Sequence, residues 1–367
     1  MNKLEKFLLF ITMTFAGLPA FGDISKLGLP EGFTISNYTS NIDNARQMVE
    51  GDNFIFVGTR SAGNVYAVHK SDTNKVITLL NEMDMPTGVA LKDGDLYIAE
   101  TDSIHVIKDI EKKLTSGDDL TSEIFFNDLP RQGMWNPLKK SWHGWKWIDF
   151  GPDGALYISE GVPCNVCDED DARFGTILKL KNNTLSVYAD GVRNSVGFDW
   201  HPETNEMYFT DNGRDWMGDD IPPCELNRVS TAGDHFGFPY VHGKDIADDS
   251  YQKPEGFKYE EPVWQFQAHT APLGIKFYTG DSFPEYYKNG AFVAQHGSWN
   301  RSKKVGYKVL FVKFEDGKVI SSETFIDGWL QGEESWGTPV TPLFLKDGSM
   351  LISDDTSDTI FRVTYQG

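Results

Sequence analysis

Only three cysteines, Cys164, Cys167 and Cys224, occur in 367 residues. A disulfide framework therefore does not hold this fold, and an apolar core must. Positive charge is also scarce: 34 Lys and Arg stand against 54 Asp and Glu, a formal net charge of −20. Such a surface repels phosphate backbones and anionic lipid heads, which excludes nucleic acid as a partner. Beyond the N-terminus no apolar run approaches the ~20 residues of a membrane-spanning helix. Helix-like periodicity is rare. A Gly-x-Ser-x-Gly elbow, a glycine-rich phosphate loop and a His-Glu-x-x-His helix are all missing, which removes the hydrolases and phosphotransferases built on them.

The cysteine spacing narrows the chemistry further. Cys164-Asn-Val-Cys167 has no following His, so it is not a haem attachment motif, and no second pair completes a four-thiolate zinc site. A local disulfide is the simpler reading and leaves Cys224 unpaired, although pairing of Cys224 with either partner is allowed by arithmetic. At the N-terminus Lys3 and Lys6 precede an apolar stretch from Phe7 to Leu18 and the small-x-small site Ala20-Phe21-Gly22. Residues 1–22 read as a cleaved signal peptide, which predicts a periplasmic or secreted protein.

What the chain has is a sixfold repeat. A turn with Asp, Asn or Gly leads into an apolar strand, a polar loop and a second strand. The strands begin near Phe54, Leu96, Leu156, Met207, Ala291 and Met350, and each is answered by a partner near Val65, Ile104, Thr176, Leu226, Val309 or Ile360. Thr87-Gly88-Val89-Ala90 and Val196-Gly197-Phe198-Asp199-Trp200 supply strands ahead of two of these pairs. Blades of about four strands, at spacings of roughly 40 to 85 residues, predict an all-β, six-bladed β-propeller over residues 23–367, a single domain with long loop insertions on one face.

Four insertions carry the reactive residues. Trp142-His143-Gly144-Trp145-Lys146-Trp147 places a histidine where it can act as a general base, although a hydrogen-bonded structural histidine is the plainer account of it alone. Arg193-Asn194 presents a planar fork and an amide suited to a carboxylate or quinone oxygen, or to tying two loops together. Asp211-Asn212-Gly213-Arg214-Asp215-Trp216-Met217-Gly218-Asp219-Asp220 and Glu225 gather carboxylates, amides and glycines of the kind Ca²⁺ requires, outside any EF-hand pattern. His269-Thr270-Ala271-Pro272-Leu273-Gly274 with Gln295-His296-Gly297-Ser298-Trp299-Asn300-Arg301-Ser302-Lys303-Lys304 combines basic groups with a tryptophan, a composition for holding an anionic aromatic ligand or for a structural loop with surface lysines.

On these residues the sequence resembles the soluble quinoprotein glucose and sorbosone dehydrogenases, especially the sorbosone-dehydrogenase-like branch. The shared motifs run in order from Leu29-Pro30-Glu31-Gly32-Phe33 and Val57-Gly58-Thr59-Arg60 to His143-Gly144-Trp145-Lys146 and Gly161-Val162-Pro163-Cys164-Asn165-Val166-Cys167. They continue through Gly191-Val192-Arg193-Asn194 and Thr210-Asp211-Asn212-Gly213-Arg214-Asp215-Trp216 to His235-Phe236-Gly237-Phe238-Pro239. The resemblance implies pyrroloquinoline quinone and Ca²⁺ as cofactors, and oxidation of a sugar hydroxyl or aldehyde with an unidentified electron acceptor. It makes His143 the general base and Arg193 and Asn194 quinone contacts. Arg301 or Lys303 becomes the partner of a cofactor carboxylate, with the backbone around Gly213 and Arg214 at the metal and Asp219 in the acidic segment that follows it. One departure stands out: the glucose-oxidising members carry arginines on the last-blade loop, where this chain has Gly337-Thr338-Pro339-Val340. Two other readings of the same propeller remain, a calcium-dependent lactonase and a non-catalytic carbohydrate- or protein-binding module.

Overall fold

The structure is a computed structural model that describes residues 23–130 and 142–367. The predicted signal peptide lies outside the described residues. Six sheets, each with an antiparallel four-stranded core, are arranged as a six-bladed β-propeller. In the first blade the strands run outward as Ala45–Glu50, Phe54–Thr59, Val65–His69 and Asp72–Leu80. The same order recurs from Gly88–Lys92, Ile148–Phe150, Phe198–Trp200 and Pro272–Phe277 in the next four blades. The third blade gains a fifth strand, Asp234–His235, parallel to Thr184–Asp190.

The sixth blade closes the ring. Pro339–Phe344, Met350–Asp354 and Thr359–Tyr365 come from the C-terminus, and the outer strand Phe33–Ser40 comes from the N-terminus, pairing from Phe33 opposite Tyr365 to Ser40 opposite Thr359 with a register shift between Asn37 and Thr39. Closing the sheet ring with both ends of the chain leaves no open blade edge at the seam. The repeat read from sequence corresponds to the second and third strands of every blade. Those strands are covered on both faces, so Phe54–Thr59, Leu156–Glu160 and Ala291–Gln295 are buried throughout. Outer strands such as Asp72–Leu80 are largely solvated and carry a weaker pattern.

Among the described residues the core falls into seven clusters: six are each shared by two neighbouring blades, and the seventh joins Val196, Leu273 and Val340 from near the starts of three inner strands. The seam between the fifth and sixth blades is aromatic, with Phe292, Phe311, Phe325, Trp329 and Phe361 all buried. At the axis the inner strands approach too closely for side chains: a Cβ on Gly197 would sit 2.2 Å from the Leu273 carbonyl, and one on Gly274 2.7 Å from that of Val340. Buried Gln47 joins three blades, donating to the Ile148 carbonyl at 2.7 Å and accepting from the amides of Val89 and Ile148 at 3.2 Å.

This topology fixes where the loops go. The start of each first strand and the connection between second and third strands lie at the same end of a blade. The segments 142–147, 191–197, 212–223, 268–271 and 296–307 therefore gather on one face. Among the described residues no helix is long and apolar enough to cross a membrane.

Candidate active site

The gathered loops enclose a cavity of about 260 Å³ near the axis, lined among others by Arg46, Arg60, His143, Trp145, Arg193, Asn194, Gly213, His269, His296 and Trp299. His143, His269 and Ala271 in this lining have positive φ angles of 52°, 66° and 49°. Left-handed backbone outside glycine costs on the order of 1 kcal/mol or more per residue and tends to collect where a site is preorganised.

His143 is buried and its Nδ1 lies 2.8 Å from the Val162 carbonyl. A carbonyl can only accept, so Nδ1 carries the proton and Nε2 holds a lone pair; Nε2 makes no hydrogen bond among the described residues. Burial, aided by the nearby Arg193 charge, holds the imidazole well below its ordinary value, so it is neutral near pH 7 and able to accept a proton. The turn that carries it is fixed from beneath. Lys146, fully buried, donates from Nζ to the Gly144 carbonyl at 2.7 Å and to Glu160 Oε1 at 2.8 Å. Burial lifts Glu160 to about 7 against the pull of Lys146.

On the fourth-blade side Arg193 is saturated by the protein itself. Its Nε and Nη2 donate to the Asn165 carbonyl and Oδ1 at 2.9 Å each, and Nη1 reaches the carbonyls of Asn212 and Gly213 at 3.0 Å. Nη2 also meets Asp215 Oδ2 at 3.2 Å, so all five N–H groups are engaged. Asn165 sits inside the Cys164–Cys167 disulfide loop, whose Cα atoms are 6.1 Å apart, while Cys224 is free and buried. The same asparagine exchanges hydrogen bonds with the Asp215 backbone at 2.9 and 3.0 Å. The adjacent Asn194 side chain lines the cavity and makes no hydrogen bond among the described residues.

Behind this wall, the Asp211 carboxylate accepts from the amides of Arg193 and Asn194 at 2.9 and 2.6 Å and pairs across the sheet with Glu225. Burial raises Asp211 to about 6, and burial with the Asp211 charge raises Glu225 to about 8. These carboxylates, with Asn212 and Gly213, line one side of a small cavity of about 10 Å³ whose other walls include Arg193, His242, Phe236, Phe238 and Val241. The side-chain oxygens of Asn212 and Asn227 are buried with no hydrogen-bond partner among the described residues. Unpartnered buried amide oxygens beside carboxylates are ligands of the type a hard cation takes.

The first blade contributes what the sequence reading did not single out as site residues. Arg46 pairs with Asp355 at 2.6 Å, and the other oxygen of Asp355 takes His296 Nε2 at 2.8 Å and the Thr338 hydroxyl at 2.6 Å. Although burial alone would raise it, Arg46 and His296 hold the Asp355 carboxyl far below the usual carboxylate range. Arg60 lies over the Trp145 ring, 4.1 Å from its centroid, and forms no ion pair among the described residues. Burial and neighbouring Arg46 depress it to about 10, still charged near neutrality. An arginine-free last-blade loop therefore does not leave the cavity without cations.

The predicted site residues thus divide. His143, Arg193, Asn194 and Gly213 meet around the cavity. The Arg214 side chain turns away to pair with Asp248. Asp219 accepts from the Ser302 amide at 2.9 Å, Arg301 grips the Asp219 carbonyl and Asp220 at 2.9 Å, and Lys303 is exposed. Arg46 carried no motif; Arg60 stood in a quoted segment, but only closure of the propeller brings it opposite Asn194.

Comparisons with known proteins agree with this architecture. Residues 222–365 match the family model described as TrAA12-like. A Trichoderma reesei structure of Carbohydrate-Active Enzymes Family AA12 is 19% identical, covers 93% of this chain and 98% of its own, and superposes with a TM-score of 0.76. The pyranose dehydrogenase PQQ domain of Coprinopsis cinerea, in holo form, is 14% identical over 92% and 97% of the two chains, with a TM-score of 0.72. The PQQ-bound aldose sugar dehydrogenase of Streptomyces coelicolor is 17% identical over 92% and 99%, with a TM-score of 0.63. At these identities the shared property is the six-bladed fold. An uncharacterised protein of Borreliella burgdorferi is 36% identical over 357 residues, 93% of this chain and 92% of the relative, and the two chains belong to one family.

Proposed function

We propose that the axial cavity is the catalytic site of a quinoprotein oxidoreductase that oxidises an aldose or sugar-derived aldehyde. The observation that carries this reading is Arg60, a guanidinium with no ion pair among the described residues, stacked on Trp145 in the same cavity as the unprotonated Nε2 of His143. A planar ligand bearing carboxylates meets both needs, and the quinones of the structurally similar sugar dehydrogenases are of that kind.

Arg60, Asn194 and Trp145 would hold pyrroloquinoline quinone, and Asp211, Asn212, Gly213 and Glu225 supply the oxygens for Ca²⁺. When bound, the quinone supplies a two-electron acceptor for hydride and Ca²⁺ a Lewis acid. The chain's own part is proton transfer and orientation. His143 Nε2 takes the proton of the substrate hydroxyl, Val162 fixes the tautomer through Nδ1, and the Lys146–Glu160 pair holds the turn. Arg193 is the brace that keeps the 212–215 loop against the 164–167 loop. The N-terminal pattern around Lys3, Lys6 and Ala20-Phe21-Gly22 supports an exported enzyme, with residues 23–367 as one domain.

The test is titration of the mature apoprotein with pyrroloquinoline quinone and Ca²⁺. Absorbance is followed, then dye reduction over a sugar and aldehyde panel, with His143→Ala as control. Saturable quinone binding with His143-dependent reduction is expected. Folded protein that binds no quinone would overturn the reading and return the chain to the lactonase or binding-propeller alternatives.

A further inference from the structure

Two tryptophans at the cavity mouth stand out. Trp216 and Trp299 are both 66% exposed, and their rings meet edge to face with centroids 5.4 Å apart. Trp299 lines the cavity; Trp216 lies one ring further out. Trp216 also has a φ of 72°, a left-handed conformation that a bulky aromatic avoids.

The exposure is not that of a loose loop. His269 Nε2 donates to the Gly218 carbonyl at 2.7 Å, and Asn300 reaches Asp215 Oδ1 at 3.4 Å. The Ser302 amide and Arg301 fasten Asp219 and Asp220. Arg301 is thus a rivet between the two loops that carry the tryptophans. The fold maintains a strained backbone and two solvated indoles side by side. Both are unfavourable in the free protein, and such features collect where a ligand will use them.

We propose that Trp216 and Trp299 form a stacking platform for a second saccharide unit, so that the substrate is a disaccharide or longer glycoside whose terminal ring enters the cavity. The proposal rests on the sugar-oxidoreductase reading and specifies its substrate class. Indole faces pack against the C–H faces of a pyranose. Asn300, next to Trp299 in the cavity lining, offers an amide to its hydroxyls. The carboxylates around the platform oppose an anionic occupant, and a neutral polyhydroxylated ring meets no such penalty.

Calorimetric titration of the full mature chain with cellobiose, maltose and chitobiose, beside glucose and N-acetylglucosamine, tests this without any quinone. The quinone-loaded enzyme then gives kcat/KM for the same sugars. At least one disaccharide is expected to bind tenfold or more tightly than its monosaccharide. Trp216→Ala should lower that ratio at least tenfold in both assays, and Trp216→Phe should restore part of it. An unchanged ratio, an equal loss for mono- and disaccharides, or a wild-type chain that binds none of the disaccharides overturns the platform. Should Trp216→Ala melt early, Trp216→Phe and Trp299→Phe carry the same comparison. Disaccharide binding that depends on Trp216 in a chain without quinone-linked reduction would leave the platform standing and remove the oxidoreductase. Reduction of dye by glucose without Trp216-dependent selectivity would do the reverse.

Discussion

The two walls of the cavity are built on opposite plans. On the fourth-blade side every Arg193 donor is satisfied by Asn165, Asn212, Gly213 and Asp215. Across from it, among the described residues, Arg60 has an aromatic ring and no ion pair, and His143 has an unused lone pair. A saturated group stabilises the loops it joins, whereas an unsaturated one beside a cavity is a demand for a ligand. An arginine in a binding loop is thus not by itself a binding arginine. The distinction lies in what its N–H groups already do.

The contrast breaks if the wrong wall carries activity. His143→Ala is expected to lower dye reduction by about 10²- to 10⁴-fold, the range for loss of a general base, measured as kcat/KM on the quinone-loaded enzyme. Arg193→Met should destabilise the fold by about 3–5 kcal/mol in denaturant titrations, since Asp215 and the loop carbonyls lose a buried charged donor. Arg60→Met is its mirror: stability should hold within about 1 kcal/mol, because no ion pair is broken, while quinone affinity falls about tenfold or more. If Arg60→Met unfolds the protein and Arg193→Met only weakens quinone binding, the two walls have been assigned in reverse. Asn165→Ala should cost about 1–3 kcal/mol and loosen the Arg193 brace, a smaller effect than removing the guanidinium itself.

The smallest effect is one of pH. His143 is held below its ordinary value in the fold, so the unfolded chain binds a proton that the folded chain refuses as pH falls below about 6.5. The stability owed to a neutral His143 is complete above that pH and is lost on acidification. His143→Gln should flatten this part of the melting-temperature profile. The acid limb of kcat/KM should accordingly lie below pH 6.5 and move upward when the Arg193 charge is removed.

Much of this was legible in one dimension. The sixfold repeat marked the second and third strands because both faces of those strands are buried and their residues are apolar in succession. Outer strands escaped notice because solvent covers them. The closing strand Phe33–Ser40 was invisible as such, since its partner lies more than three hundred residues away. His143, Arg193, Asn194 and Gly213 were readable because each sits in a glycine-rich loop with unusual polar density. Arg46 lies in one ordinary strand of the first blade and Arg60 just past another, and they show their role only when the ring brings them to the axis.

The sequence by itself determined the blades, the loop face and the residue types available for chemistry, because strand periodicity and turn residues are local properties. Which arginine is a brace and which is free, where Arg301 points, and that two tryptophans stand exposed side by side were decided by the tertiary structure. Those are matters of hydrogen-bond satisfaction and charge pairing between segments far apart in the chain, and no local pattern encodes them.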